Sequence, residues 1–237
     1  MPNLTAYQLL EACREPGCPV CRMEQRSVER YLDNQLYENV NSPKWRDKLR
    51  ASLGFCHEHA WLAVNQRLGD ALGFSIIYRD VVNHVLSDLD RGTAQAPRGL
   101  STILRQVPEG ARTLIENMLS AMTPRKPCPA CEHRDETTRA SVSILLEELK
   151  SSEMREALQA SDGLCLPHLR QTLEHVRDAT VGKSLLDLHQ DKLERLRYEL
   201  EEFIRKNDYQ LIGEGFGEER DAWLRAIAMV AGIRKKG

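Results

Sequence analysis

Four short pairs of soft ligands are the groups in this sequence best placed to do chemistry. Cys18-Pro19-Val20-Cys21 and Cys128-Pro129-Ala130-Cys131 each hold two cysteines with two residues between them. Cys56-His57-Glu58-His59 and Cys165-Leu166-Pro167-His168 each hold a cysteine and a histidine at the same separation. That separation lets both side chains of a pair bend onto one ion within a single turn, and two pairs complete the tetrahedron zinc accepts. Thiolate and imidazole both suit this borderline-soft ion. Taken in chain order, Cys18, Cys21, Cys56 and His59 form one expected ligand set, and Cys128, Cys131, Cys165 and His168 the other. Each set would clip together segments more than thirty residues apart and hold one structural zinc, two per chain. Four protein ligands leave no position for water, which marks a structural site rather than a hydrolytic one.

The same residues reveal a duplication, the feature to seek first in any chain. The Cys-Pro-x-Cys motifs are offset by 110 residues and the Gly-x-Cys-x-x-His motifs by 109. Between them the copies agree at Leu36 and Leu146, Glu38 and Glu148, Arg46 and Arg155, Leu49 and Leu158, and Ser52 and Ser161. The repeat also chooses His59 over His57, because His57 aligns with Leu166 and His59 with His168. His57 is then expected at the surface or behind a ligand.

Helices must position these groups. Val142, Leu145, Leu146 and Leu149 fall on one helical face. Leu186, His189, Leu193, Leu196, Leu200, Phe203 and Asn207 alternate spacings of three and four, a heptad seam whose polar members are expected near helix edges. No alternating strand pattern is evident. The expected fold is therefore all-α, a helical bundle built from two duplicated metal-binding helical units. Pro19 and Pro129 suit first helical turns, and Gly54 and Gly163 suit helix stops. Cys56 and Cys165 would then open the next helices. Helix N-termini favour thiolate and offset the net charge of about -1 left by three thiolates and Zn²⁺. The organisation reads as a first metal-binding repeat over 1–90, a linker and connecting helix over 91–123, a second repeat over 124–206, and a Gly-rich turn with a C-terminal helix over 207–237. The linker is expected to begin at Arg91-Gly92-Thr93-Ala94, and the connecting helix to span roughly 109–122. That last helix is expected to bury Trp223, Leu224, Ile227 and Val230.

Two other chemistries use the same groups. Cys13-x4-Cys18-x2-Cys21 with Cys56 mimics a plant-type iron–sulfur spacing, but the second copy has Thr123 where Cys13 would align. Cys13 lies on a stripe with Leu9 and Leu10, where a buried thiol is the ordinary reading. An iron–sulfur electron carrier or redox sensor with Cys3His ligands stays open as an alternative, as does a thiol-based redox or sulfur-transfer enzyme using Cys18, Cys21 or Cys13. No recognisable catalytic constellation is present, so catalysis is not the leading expectation. Gly213-Glu214-Gly215-Phe216-Gly217 misses both nucleotide fingerprints, and Glu218, Glu219 and Asp221 would repel phosphate. His84, beside Val81 and Val85, is expected in the core.

Composition sets the remaining bounds. Of 237 residues, 33 are Lys or Arg and 35 Asp or Glu, a formal net charge of -2, so no nucleic-acid partner is expected. No secretory pattern opens the chain and no apolar run would span a bilayer, so a cytoplasmic location with no membrane partner is expected. Seven cysteines in that setting point to metal or redox roles rather than disulfides. The expected role is binding of an unknown protein partner or self-association, for instance as a homodimer. The paired motifs, with Ile212-Gly213-Glu214-Gly215-Phe216-Gly217-Glu218 and Asp221-Ala222-Trp223-Leu224-Arg225-Ala226-Ile227, resemble an uncharacterised bacterial family of similar length. That resemblance implies no activity or substrate.

Overall fold

The computed structural model describes residues 4–94, 109–208 and 214–234. Among them are eleven α-helices and no strand: α1 (Leu4–Cys13), α2 (Pro19–Glu38), α3 (Pro43–Ala51), α4 (His57–Asn65), α5 (Ala71–Ala94), α6 (Glu109–Ala121), α7 (Pro129–Glu148), α8 (Ser152–Ala160), α9 (Leu166–His175), α10 (Ala179–Lys206) and α11 (Ala222–Ala231). The duplication is written in helix lengths. Helices α2 and α7 have 20 residues each, α3 and α8 have 9 each, and the ligand helices α4 and α9 have 9 and 10. Among the described residues no helix is long and apolar enough to cross a membrane.

Two compact units emerge, and each mixes the two repeats. One is drawn from Met1–Ser27 and Arg134–Lys235, the other from Val28–His133. In the first, Cys18, Val20, Cys21 and Met23 share a core with Leu145, Leu149, Met154, Leu158 and Leu164. The start of α2 thus packs beside the C-terminal end of α7. In the second, Val28, Leu32 and Leu36 share a core with Leu49, Phe55, Leu62, Cys128 and Ala130, so the end of α2 packs beside the start of α7. Tyr31 stacks on His133 there, ring centroids 4.3 Å apart. In the first unit Ser27 and Thr137, which correspond in the repeats, meet with their hydroxyl oxygens 2.9 Å apart.

Several expected placements change. Residues 91–94, whose Gly and Thr suggested the start of a linker, close α5 instead; 95–97 lie outside the described residues. The seam of α10 buries Leu185, His189 and Leu196, while Leu186 and Leu193 are 48% and 36% exposed. A straight helix drifts away from a strict 3.5 repeat, which explains the shift from Leu186 to Leu185. His189 is among the most deeply buried side chains. Helix α11 buries Ala222 and Met229 against Leu196, leaving Trp223, Leu224, Ile227 and Val230 about half exposed. Its apolar residues nearly encircle the helix, so sequence alone could not choose the inward face. His84 is half-buried and 3.7 Å from Asp88, not in the core. Gly213 lies outside the described residues. The segment after it is tied to α10 by Arg205–Glu214 and Lys206–Glu219 ion pairs and by stacking of Phe216 on Phe203.

Candidate metal centres

Helix starts supply every cysteine of both clusters. Pro19 and Pro129 open α2 and α7 and leave Cys18 and Cys128 just before the first turn, where their carbonyls accept from the Arg22 and Glu132 amides. Cys56 and Cys165 cap α4 and α9 in extended conformations, and His59 and His168 sit one turn further in. The chain reaches Cys56 and Cys165 through matched turns. Gly54 and Gly163 hold φ of +91° and +80°, a region that costs other residues strain. A Cβ at Gly54 would lie 3.2 Å from the Tyr78 ring, and one at Gly163 would lie 3.1 Å from His189 Nε2. The Ser52 hydroxyl donates to the Gly54 carbonyl at 2.8 Å, and the Ser161 hydroxyl to the Leu158 carbonyl at 2.8 Å, behind these turns.

The eight expected ligands come together in two clusters, but not in chain order. Site I consists of Cys18, Cys21, Cys165 and His168; site II consists of Cys56, His59, Cys128 and Cys131. Each Cys-x2-Cys meets the Cys-x2-His of the other repeat, which corrects the pairing of Cys18 and Cys21 with Cys56 and His59, and of Cys128 and Cys131 with Cys165 and His168. Helix length gives the physical reason. Twenty residues carry α2 about 30 Å from its start. The nine residues of α3 cover only about 13 Å, and Cys56 falls with Cys128 and Cys131. The end of α7, by contrast, lies beside the start of α2, and α8 and α9 deliver Cys165 and His168 there. His59 lies in site II while His57 is exposed. Cys13 is buried in α1 and belongs to neither cluster; burial pushes its thiol up to about 11.

The two clusters match closely. In site I, His168 Nδ1 lies 3.5, 3.3 and 3.2 Å from the sulfurs of Cys18, Cys21 and Cys165. In site II, His59 Nδ1 lies 3.7, 3.4 and 3.2 Å from those of Cys128, Cys131 and Cys56. The Cys21–Cys165 and Cys56–Cys131 sulfurs are 3.7 and 3.6 Å apart. Within each cluster all ligand atoms lie within 4.8 Å of one another. Such a set can hold one metal ion between four protein atoms.

Charge in site I is strongly redistributed. Burial, then hydrogen bonds to Cys165 and Cys21, push the Cys18 thiol well up. Hydrogen bonds from Cys18 and Cys21 hold Cys165 far below the usual thiol range. Burial disfavours a charged His168 ring, but Cys165, Cys21 and Glu24 outweigh it and raise the ring to about 12. A divalent cation would take the place of the proton that this cluster otherwise retains.

Two contributors escaped the sequence. Glu24 Oε1 lies 3.0 Å from His168 Nε2, on the far side of the ring from the sulfurs, and Thr138 also donates to it. No repeat signal could find Glu24, since Arg134 stands at the matching position. His189 Nε2 accepts from the Leu164 amide at 2.8 Å and its Nδ1 donates to the Leu185 carbonyl at 2.7 Å, which fixes the turn just before Cys165. Its position in an apolar seam was the available signal.

The chain is similar over 236 residues to the "Uncharacterized 23.9 kDa protein in xynA 3'region" of Caldicellulosiruptor sp. (strain Rt8B.4), at 27% identity, covering 95% of this chain and 100% of that protein. No solved structure matches the chain. Residues 4–237 match the group described as "Family of unknown function (DUF6062)", and the chain belongs to that family.

Proposed function

We propose that the chain is a zinc protein with two structural Cys3His sites, and that it works by binding another macromolecule or a second copy of itself. The observation that carries the zinc reading is the convergence of each ligand set on one point. A tetrahedral site with Zn–S bonds of 2.3 Å has sulfurs about 3.8 Å apart, and about 3.6 Å between sulfur and imidazole nitrogen. The Cys21–Cys165 and Cys56–Cys131 separations of 3.7 and 3.6 Å fit those values. An iron–sulfur cluster places its ligands on different irons and needs a wider cage, so the spacing favours one ion. Two helix N-termini point at each site and would offset its residual negative charge.

The binding role is supported by apolar surface. Trp223, Leu224, Ile227 and Val230 on α11 are 47–58% exposed, more than a closed single chain needs to leave in water. A cytoplasmic location, where thiols stay reduced, suits seven cysteines that form no disulfide. Elemental analysis of protein purified without chelators tests the metal. About two zinc per chain is expected. A count near zero, or iron with visible absorbance bleached by dithionite, would overturn it. Light scattering at rising protein concentration separates self-association from a foreign partner.

A further inference from the structure

The two sites are matched in geometry but not in access. Cys18, Cys21, Cys165 and His168 are all buried, at 2, 9, 1 and 6% exposure. In site II, Cys128 and His59 are buried, but Cys56 and Cys131 are only half-buried. The Cys21–Cys165 contact is buried, the Cys56–Cys131 contact only partly so. The cover over site I comes from the chain after α11. At Gly232, with φ +90°, a Cβ would lie 3.3 Å from Cys21 Sγ and 3.9 Å from Cys165 Sγ, so the backbone itself lies on these sulfurs. Ile233 packs into the core beside Gly17. Site I also has its histidine held by Glu24 at 3.0 Å.

We propose that site II is an oxidant-responsive site: a hydroperoxide joins Cys56 to Cys131 as a disulfide and releases the metal, while site I keeps its own. Susceptibility among thiolates follows exposure, and the two half-buried cysteines are the two whose sulfurs already lie 3.6 Å apart. In the first step one thiolate attacks the peroxide O–O bond. A sulfur–oxygen bond forms, the O–O bond breaks, and the leaving oxygen takes a proton to depart as water or alcohol. In the second step the other thiolate attacks the sulfenic sulfur. The S–S bond forms, and hydroxide leaves and is protonated to water. Two electrons pass from the sulfurs to the peroxide and two protons are taken from solvent. Cys128 and His59 alone cannot retain a four-coordinate ion, so the cation departs.

The release step rests on the zinc reading, and the experiment separates the two. Full-length metal-loaded protein is first analysed for zinc, then treated with a modest excess of hydrogen peroxide beside a chromogenic zinc indicator. Disulfides are mapped by mass spectrometry without reduction. Two zinc before oxidant, one released in a fast phase, and a Cys56–Cys131 linkage are expected. Release of both ions in a single phase, release of none, or a Cys21–Cys165 linkage forming first would overturn the inference. If no zinc is present at the start, the zinc reading fails by itself. The order in which the two linkages form then decides the inference alone.

Discussion

Glu24 acts on the proposed site through the back of an imidazole. With His168 Nδ1 facing three sulfurs, the ring's proton belongs on Nε2, where it is donated to the Glu24 carboxylate at 3.0 Å. This contact fixes both the tautomer and the ring plane, and it makes Nδ1 a better donor to a metal. The Thr138 hydroxyl donates to Glu24 in turn and orients the carboxylate. Replacing Glu24 by Ala should weaken zinc at site I by about 10–100-fold, the usual effect of losing such a partner. Competition against a chelator of known affinity measures this, with site II in the same molecule as the control. An unchanged site I affinity would reduce Glu24 to a packing residue. His189 is another supporting group, with both ring nitrogens engaged. Burial holds its pKa below the ordinary histidine value, so it stays neutral and accepts from the Leu164 amide. Replacing it by Leu strands that buried amide, at a cost of about 1–3 kcal/mol. Thermal unfolding of metal-loaded protein checks the loss. A Tm unchanged from wild type would show that the Leu164 amide finds another acceptor.

Short helices between the long ones deliver the histidines, and their ends differ in ways the repeat conceals. Helix α8 is capped by Ser151, whose hydroxyl accepts from the Met154 amide at 3.3 Å. Helix α3 follows Ser42, which makes no such bond and precedes Pro43 at the first turn. Ser151→Ala should therefore destabilise the protein by about 1 kcal/mol. Ser42→Ala should cost much less, because proline supplies a preset φ and has no amide to satisfy. Equal losses of Tm in the two variants would refute this distinction. Acid acts on another element end. Lys206 Nζ and the Gly217 amide hold the Glu219 carboxylate down to about 2, against an ordinary value of 4.5. A carboxylate lowered by folding contributes stability that is complete above 4.5 and fades as pH falls toward 2. The turn before α11 should loosen in that window, and Glu219→Gln should abolish the acid dependence of its amide exchange.

At the scale of the molecule, the central fact is the exchange of halves between repeats. Much of the chemistry was legible from spacing: all eight residues of the two clusters, the preference for His59, and the helix starts at Cys56 and Cys165. Their partnership was not. Motifs separated by 34 and 33 residues are equally consistent with sites closed inside each repeat or across the two. Three-dimensional length decides, because α2 is a 20-residue rod that carries the chain away from Cys21 before Cys56 is reached. The inward face of α11 was hidden for another reason: a helix apolar on most sides does not reveal which side finds the core. The crossed pairing makes a prediction about one repeat by itself. A fragment ending at Ala94 holds Cys18 and Cys21 without Cys165 and His168, and Cys56 and His59 without Cys128 and Cys131, so it should not close a site alone. Two copies can, by lending each other the missing pair in a self-complementary exchange. Light scattering should therefore find this fragment at twice its mass with about two zinc per pair, and chelation should return it to a less helical monomer. A monomer carrying one tightly bound zinc would mean that Cys18, Cys21, Cys56 and His59 can converge within one repeat, and that α2 does not impose the exchange.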